Sequence, residues 1–194
     1  MTESAEQLAA IQDAYAVWRR RHRRRSSGEP VSATQIAEAE AVLGLTLPTG
    51  YVAFLTTFGV GGPNDLITPR AAVADSQGDA GGWAHVRRPF TIVNGKCPMP
   101  DPEDASVVDG AIPVNIGGCD FHTVLAVTGD LAGTVWTNDY NNVDEDSYFV
   151  WAPARLVTGE RQSEPVEFLT WMRHRTERAA EYAARRPWWR RRFD

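Results

Sequence analysis

Two neighbouring segments between residues 32 and 58, both with helical spacing of apolar side chains, constrain the fold more than any other feature. The first segment places three apolar residues on one face: Ile36, Ala39 and Leu43. The second repeats the pattern at i, i+3, i+4 and i+7: Tyr51, Phe54, Leu55 and Phe58. This spacing is typical of helices that each bury one side. Ser32 and Gln35 have capping-box spacing, and Gly44 suits a left-handed helix stop. The sequence therefore predicts two consecutive helices on a common core.

Two further helices are predicted over residues 4–25 and 163–184. The first has one apolar stripe, which must pack on another element: Leu8, Ile11, Tyr15 and Trp18. Ser4 and Gln7 have capping-box spacing at its start. The last helix can be capped by Ser163 and has Pro165 in its first turn. Its common face has five members: Leu169, Met172, Thr176, Ala179 and Ala183.

Between these helices the pattern changes to strands. Short runs rich in β-branched and aromatic residues occupy 112–114, 123–128, 133–137 and 148–151, each bounded by Gly, Asp or Asn. The turn at 128–131 predicts a hairpin between the second and third runs. In the Gly- and Pro-rich middle, only a strand near Leu66 and a short helix near 71–76 are expected. We therefore predict an α+β domain, in which terminal helices flank a mainly antiparallel sheet of four to six strands.

Charge divides the sequence into three parts. Residues 1–25 carry a net charge of +3, residues 26–170 carry −13 and residues 171–194 carry +5. We expect residues 1–28 to form an N-terminal helix with an arginine run and a linker, residues 29–184 to form the domain, and residues 185–194 to form a basic tail. An acidic body attracts cationic partners and repels nucleic acid, although acidity also serves solubility alone.

Cysteine content and hydropathy bear on the compartment. Cys97 and Cys119 are the only cysteines in the sequence, so no disulfide framework exists, which fits a reducing compartment. The N-terminus carries Glu3, Glu6 and Asp13 and lacks an apolar run, so a secretory signal is not expected. No stretch approaches the length of a membrane-spanning helix. The expectation is a cytoplasmic protein without a membrane partner.

Residues 32–175 resemble the SUKH (Smi/Knr-like) superfamily. The family's opening signature is similar to the pattern Ile36-x3-Glu40-x2-Leu43-Gly44-x2-Leu47-Pro48-x2-Tyr51-x2-Phe54-Leu55, which closes in Gly61-Gly62. Later parts resemble the family at Ile112-Pro113, at Gly117-Gly118, at 133–136 and at 163–172. Val60 departs from the asparagine that the family usually has. The helix at 4–25 and the Arg-Trp tail have no counterpart there.

The resemblance implies helices around a twisted, mainly antiparallel sheet, and a binding role with no common catalytic residues. Bacterial members are often immunity proteins that neutralise toxins, many of them nucleases, whereas fungal relatives regulate cell-wall assembly. The favoured expectation is therefore a non-catalytic immunity protein without cofactor or small-molecule substrate, whose partner is a cognate toxin with a basic surface. The alternatives are an intracellular regulatory scaffold and a nucleic-acid binder that uses the arginine-rich ends.

The candidate partner-binding residues combine an acidic cluster with aromatic anchors. The acids are Asp139, Asp144, Glu145 and Asp146, and the anchors are Trp83, Trp136 and Tyr140. Carboxylates suit a basic partner, and aromatic side chains dominate binding energy where they are desolvated. The same acidic run is also typical of a solvated polar loop. Trp151, by contrast, is expected in the core.

Catalytic and metal chemistry are weakly supported. Cys119 and His122 are a possible nucleophile and base, but residues three apart on one strand point to opposite faces. Cys97, Cys119 and His122 together would supply only three zinc ligands, and the sequence has no C-x-x-C pair. The acidic run at 139–146 lacks the residue spacing of a twelve-residue calcium loop. The arginine runs at 19–25 and 185–192 could hold phosphates, with Trp188 and Trp189 stacking on bases.

Overall fold

The structure is a computed structural model that describes residues 3–22, 29–61, 63, 66–77, 82–91, 108–117, 121–138, 151–156 and 163–185. The helices are α1 (Glu3–Arg21), α2 (Ala33–Leu43), α3 (Thr49–Phe58), α4 (Pro69–Asp75) and α5 (Phe168–Arg185), with a short 3-10 helix at His85–Arg87. The strands are β1 (Ala111–Gly117), β2 (Phe121–Ala126), β3 (Thr134–Asn138), β4 (Trp151–Pro153) and β5 (Val166–Glu167). The predicted α+β class is confirmed.

The five strands of the described residues form one antiparallel sheet in the order β1-β2-β3-β4, and β5 pairs with the first half of β3. The predicted hairpin between the second and third runs is confirmed, because Leu125 in β2 pairs with Val135 in β3. The register of β1 shifts between Pro113 and Asn115. A proline cannot donate a ladder hydrogen bond, so it is found at such irregularities.

Local sequence explains the α2–α3 pair. The Ser32 hydroxyl accepts a hydrogen bond from the Gln35 backbone N–H, and the Gln35 side chain accepts one from the Ser32 backbone N–H. Gly44 ends α2 in the left-handed region at φ 70°. Glu40 then accepts a hydrogen bond of 2.8 Å from the backbone N–H of Leu47. These bonds fix the connection that directs α3 back onto the core.

Both faces of the sheet are buried. The main core lies between the helices and one face, which contributes Leu125 and Val135. The other face contributes Val124 and Trp136 to a second cluster that Trp151 helps to complete. Alternate residues of a strand point to opposite faces, and β1, β2 and β3 each supply both clusters.

Helix α1 packs against α5 and is part of the domain. Its apolar stripe was predicted to need a partner, and Ile11 and Tyr15 join the main core. Trp18 forms a smaller cluster with Ala180 and Ala183 of α5. The N-terminal helix is therefore not an appendage of the domain.

Three boundaries differ from the predictions. Helix α1 begins at Glu3 and ends at Arg21, so Ser4 lies inside the helix and does not cap it. Helix α5 begins at Phe168 rather than near Ser163, because Val166 pairs with Val135 and thus belongs to β5. Ile67 donates a hydrogen bond to the Val114 carbonyl but lies in no strand. The predicted strand at 148–151 is described only from Trp151 onwards.

Candidate functional site

Four strand ends meet at one end of the sheet. Gly117 at the end of β1 pairs with Phe121 at the start of β2. Asn138 at the end of β3 pairs with Trp151 at the start of β4. In an antiparallel meander the β1–β2 and β3–β4 connections leave from the same end. Residues 118–120 and 139–150 are therefore both anchored there.

These two connections carry only negative charge. Together they hold five acids, namely Asp120, Asp139, Asp144, Glu145 and Asp146, and neither holds a Lys or Arg. The four predicted acids of the second connection and Tyr140 lie outside the described residues. At the opposite end of the sheet the β2–β3 turn holds Asp130, and Arg88 lies 3.3 Å from Asp109. Acids also lie at the opposite end, where Glu3 and Glu167 line a cleft beside the β2–β3 turn, so the end with the two connections is distinguished by the absence of Lys and Arg from them.

Trp136 lies in the core, so its predicted role as an exposed anchor does not fit the structure. Its side chain is 4 % exposed and lies 5.4 Å from the Phe90 ring, measured between ring centroids. The indole N–H donates a hydrogen bond of 2.8 Å to the Thr134 hydroxyl. The second cluster covers the face of the sheet on which Trp136 lies. Trp151 is also buried, as predicted.

Trp83 is half-buried and held in place. Its indole N–H donates a hydrogen bond of 2.7 Å to the Val73 carbonyl of α4, and its ring packs against the main core. Part of the ring remains accessible next to the 3-10 helix. This tryptophan is therefore fixed before any partner binds, which limits the side-chain entropy lost in an interface.

A cleft that the sequence did not reveal lies where α1, α3, the β2–β3 turn and the β5–α5 junction meet. Its volume is about 480 Å³, within the range of small-molecule sites. Gln7 and Tyr51 line it, and each has a buried oxygen without a hydrogen-bond partner. Glu3 and Glu167 contribute carboxylates to the same cleft. The one available signal was Gln7, a polar residue on the buried stripe of α1.

Tyr51→Phe is expected to raise the free energy of unfolding by about 1 kcal/mol, because an unpaired buried hydroxyl costs stability. Burial also raises the pKa of the Tyr51 phenol above its usual value of 10.0. The folded protein therefore resists ionisation of Tyr51, so this residue lowers stability as the pH rises above 10.0. The gain from the variant should then grow at alkaline pH in urea denaturation. A loss of stability instead would show that the hydroxyl is hydrogen-bonded in solution.

The described residues hold no group of three or more His, Cys, Asp or Glu that could bind a metal ion. Cys97 and Cys119 lie outside them, and His122 pairs with Ile116 in the sheet. Within the described part of the chain, no helix is long and apolar enough to cross a membrane. No protein-family model, curated protein or solved structure matches the chain.

Proposed function

We propose that this protein is a non-catalytic, cytoplasmic binding protein that neutralises a basic toxin, and that the acidic end of its sheet is the docking surface. The observation that carries the proposal is the shared anchoring of residues 118–120 and 139–150, which together hold five acids and no Lys or Arg. The resemblance to SUKH immunity proteins and the absence of a disulfide framework from the sequence agree with this role.

The mechanism follows from charge complementarity. A toxin that cleaves or modifies nucleic acid needs cationic residues to hold phosphates. An acidic protein that occupies those residues competes directly with the nucleic acid. Opposite potentials also speed encounter, to about 10⁸–10⁹ M⁻¹s⁻¹ at low salt. Tyr140 lies in the acidic connection next to Asp139, and its ring is the proposed aromatic anchor of the complex.

The proposal is tested by co-expression with a toxin encoded next to this protein, followed by binding kinetics. Asp144→Lys/Asp146→Lys is expected to abolish protection and to lower the on-rate about tenfold at low salt, because rim charges act mainly on association. The on-rate of the wild type should fall as salt increases. The acidic docking surface would be contradicted by two results together: full protection by the double variant, and an on-rate of the wild-type protein that does not change with salt.

The matched control is Asp130→Lys/Glu164→Lys. It changes the net charge by the same amount, and both residues are exposed. Asp130 lies in the β2–β3 turn, at the other end of the sheet. This control is expected to bind as the wild type does. If wild-type protein does not bind the toxin at all, the immunity function is wrong.

A further inference from the structure

The cleft between α1, α3 and α5 is lined by the first turns of all three helices. Glu3 and Ser4 belong to the first turn of α1, residues 49–51 to that of α3, and residues 168–170 to that of α5. The first backbone N–H groups of a helix have no partner within the helix, and the helix dipole gives that end a partial positive charge. A helix start that no side chain caps can therefore hold an anionic group.

The start of α3 has this property. Pro48 occupies its N-cap position, and no side chain of the described residues caps the helix. The N–H of Val52 donates to the Pro48 carbonyl, which leaves the N–H groups of Thr49, Gly50 and Tyr51 without a partner inside the helix. All three residues line the cleft. The start of α3 thus presents donors that suit a carboxylate.

Acceptors lie directly beside this helix start. Glu167 is exposed, and a Cβ added at Gly133 would lie 3.2 Å from its Oε2 and 3.9 Å from the Pro48 Cβ. The Glu167 carboxylate is therefore next to the residue that precedes α3. Glu3 adds a second carboxylate to the cleft, one helical turn before Gln7 on the same face of α1. Among the described residues, the cleft is lined by no Lys, Arg or His.

Gln7 supplies a third acceptor, which is buried. Its side chain is 9 % exposed, and its Nε2 donates a hydrogen bond of 2.9 Å to Thr170 Oγ1. Its Oε1 is buried and has no hydrogen-bond partner within the described part of the chain. A buried amide oxygen without a donor costs stability. An ammonium group, which has three donors, would supply the missing partner.

The cleft therefore offers donors and acceptors side by side, together with apolar walls from Pro48, Val127, Ala132 and Leu169. We propose that it binds a free α-amino acid with an apolar side chain. The carboxylate of this ligand accepts from the start of α3, and its ammonium group donates to Glu167 and Gln7. A ligand with one charge alone would satisfy only half of the site. The cleft lies at the opposite end of the sheet from the acidic docking surface, so this proposal does not depend on toxin neutralisation.

The test is isothermal titration calorimetry of the full chain with L-leucine and with two analogues that each lack one charge. Isocaproate is leucine without the ammonium group, and isoamylamine is leucine without the carboxylate. We expect one leucine per protein. Each analogue should bind about tenfold more weakly or worse, because it has lost the charge-assisted hydrogen bonds of one half of the site.

Glu167→Gln tests the acceptor side. It should weaken leucine binding about tenfold or more, but it should leave the affinity for isocaproate unchanged, because isocaproate has no ammonium group. Glu164→Gln is the matched control, since Glu164 is exposed three residues earlier and does not line the cleft. It should bind leucine as the wild type does. Circular dichroism checks that each variant is folded.

Thr49→Pro tests the donor side. It removes one N–H at the first helical position of α3, where proline is tolerated. Thr49→Ala removes the same hydroxyl but keeps the N–H. The proline variant should therefore bind both leucine and isocaproate about fivefold more weakly than the alanine variant does, whereas isoamylamine should not distinguish the two.

Several results would overturn the proposal. If leucine did not bind the wild-type protein at up to about 10 mM, the cleft would not be an amino-acid site. Isoamylamine binding as tight as that of leucine would assign the cleft to cations alone, and equally tight isocaproate binding would assign it to anions alone. An unchanged affinity of folded Glu167→Gln for leucine would place the ligand elsewhere on the protein.

Discussion

Phe168→Ala is expected to lower the free energy of unfolding by about 3–5 kcal/mol, the range for a buried phenylalanine truncated to alanine. Phe168 is 1 % exposed and begins α5, next to β5. Its ring contacts Tyr51 and Phe54 edge-on, with centroids 5.1 and 5.8 Å away, and lies 6.0 Å from Trp171. The truncation would remove these contacts and leave a cavity between α3 and α5.

Urea denaturation followed by circular dichroism measures this loss. Tyr182→Ala is the control, since it removes an aromatic ring of similar size from the exposed face of the same helix, and we expect it to cost less than about 0.5 kcal/mol. A loss of less than about 1 kcal/mol for Phe168→Ala would mean that α5 does not pack on α3 through this ring.

Gly110→Ala is expected to cost about 2–5 kcal/mol. About 1–2 kcal/mol comes from a left-handed conformation in a residue with a side chain, and about 1–3 kcal/mol comes from overpacking. Gly110 has φ 70°, and an added Cβ would lie 2.6 Å from the Arg88 carbonyl and closer still to the Phe90 backbone nitrogen. Backbone atoms cannot move aside as a flexible side chain can. The clash would separate the 3-10 helix region from β1.

Thermal and urea unfolding of two glycine variants provide the comparison. Gly82→Ala should be nearly neutral, because an added Cβ there meets no atom within 4 Å. Gly44→Ala should cost about 2–3 kcal/mol, because its Cβ meets the end of Arg87, which would have to give up its hydrogen bond to the Leu43 carbonyl. If all three variants were equally stable, the close approach at Gly110 would be absent in solution.

The parts of the fold that local sequence determines were predictable. The capping box at Ser32, the glycine stop at Gly44 and the spacing within α3 are short-range features, and each lies where it was expected. The start of α5 was not predictable in this way. Ser163 and Pro165 have helix-start chemistry, but pairing of Val166 with a strand about 30 residues away takes precedence.

The candidate sites were predictable in charge but not in position. The sequence shows acidic and basic segments, yet only the meander brings residues 118–120 to the same end as residues 139–150. Trp136 was predicted as an anchor because the acidic run follows its strand. Its burial depends on Phe90, which comes from a segment where no element was predicted. The cleft beside Gln7 likewise draws on four separate segments.

The contact between the first and last helices has a consequence for biosynthesis. The hydrogen bond between Gln7 and Thr170 spans 163 positions of the chain. At about 5–20 residues per second, α1 leaves the ribosome roughly 10–30 s before α5 is synthesised. During that interval Ile11 and Trp18 lack the helix that covers them. The domain thus closes only after α5 has been synthesised, and until then the nascent chain presents the apolar face of α1 to chaperones.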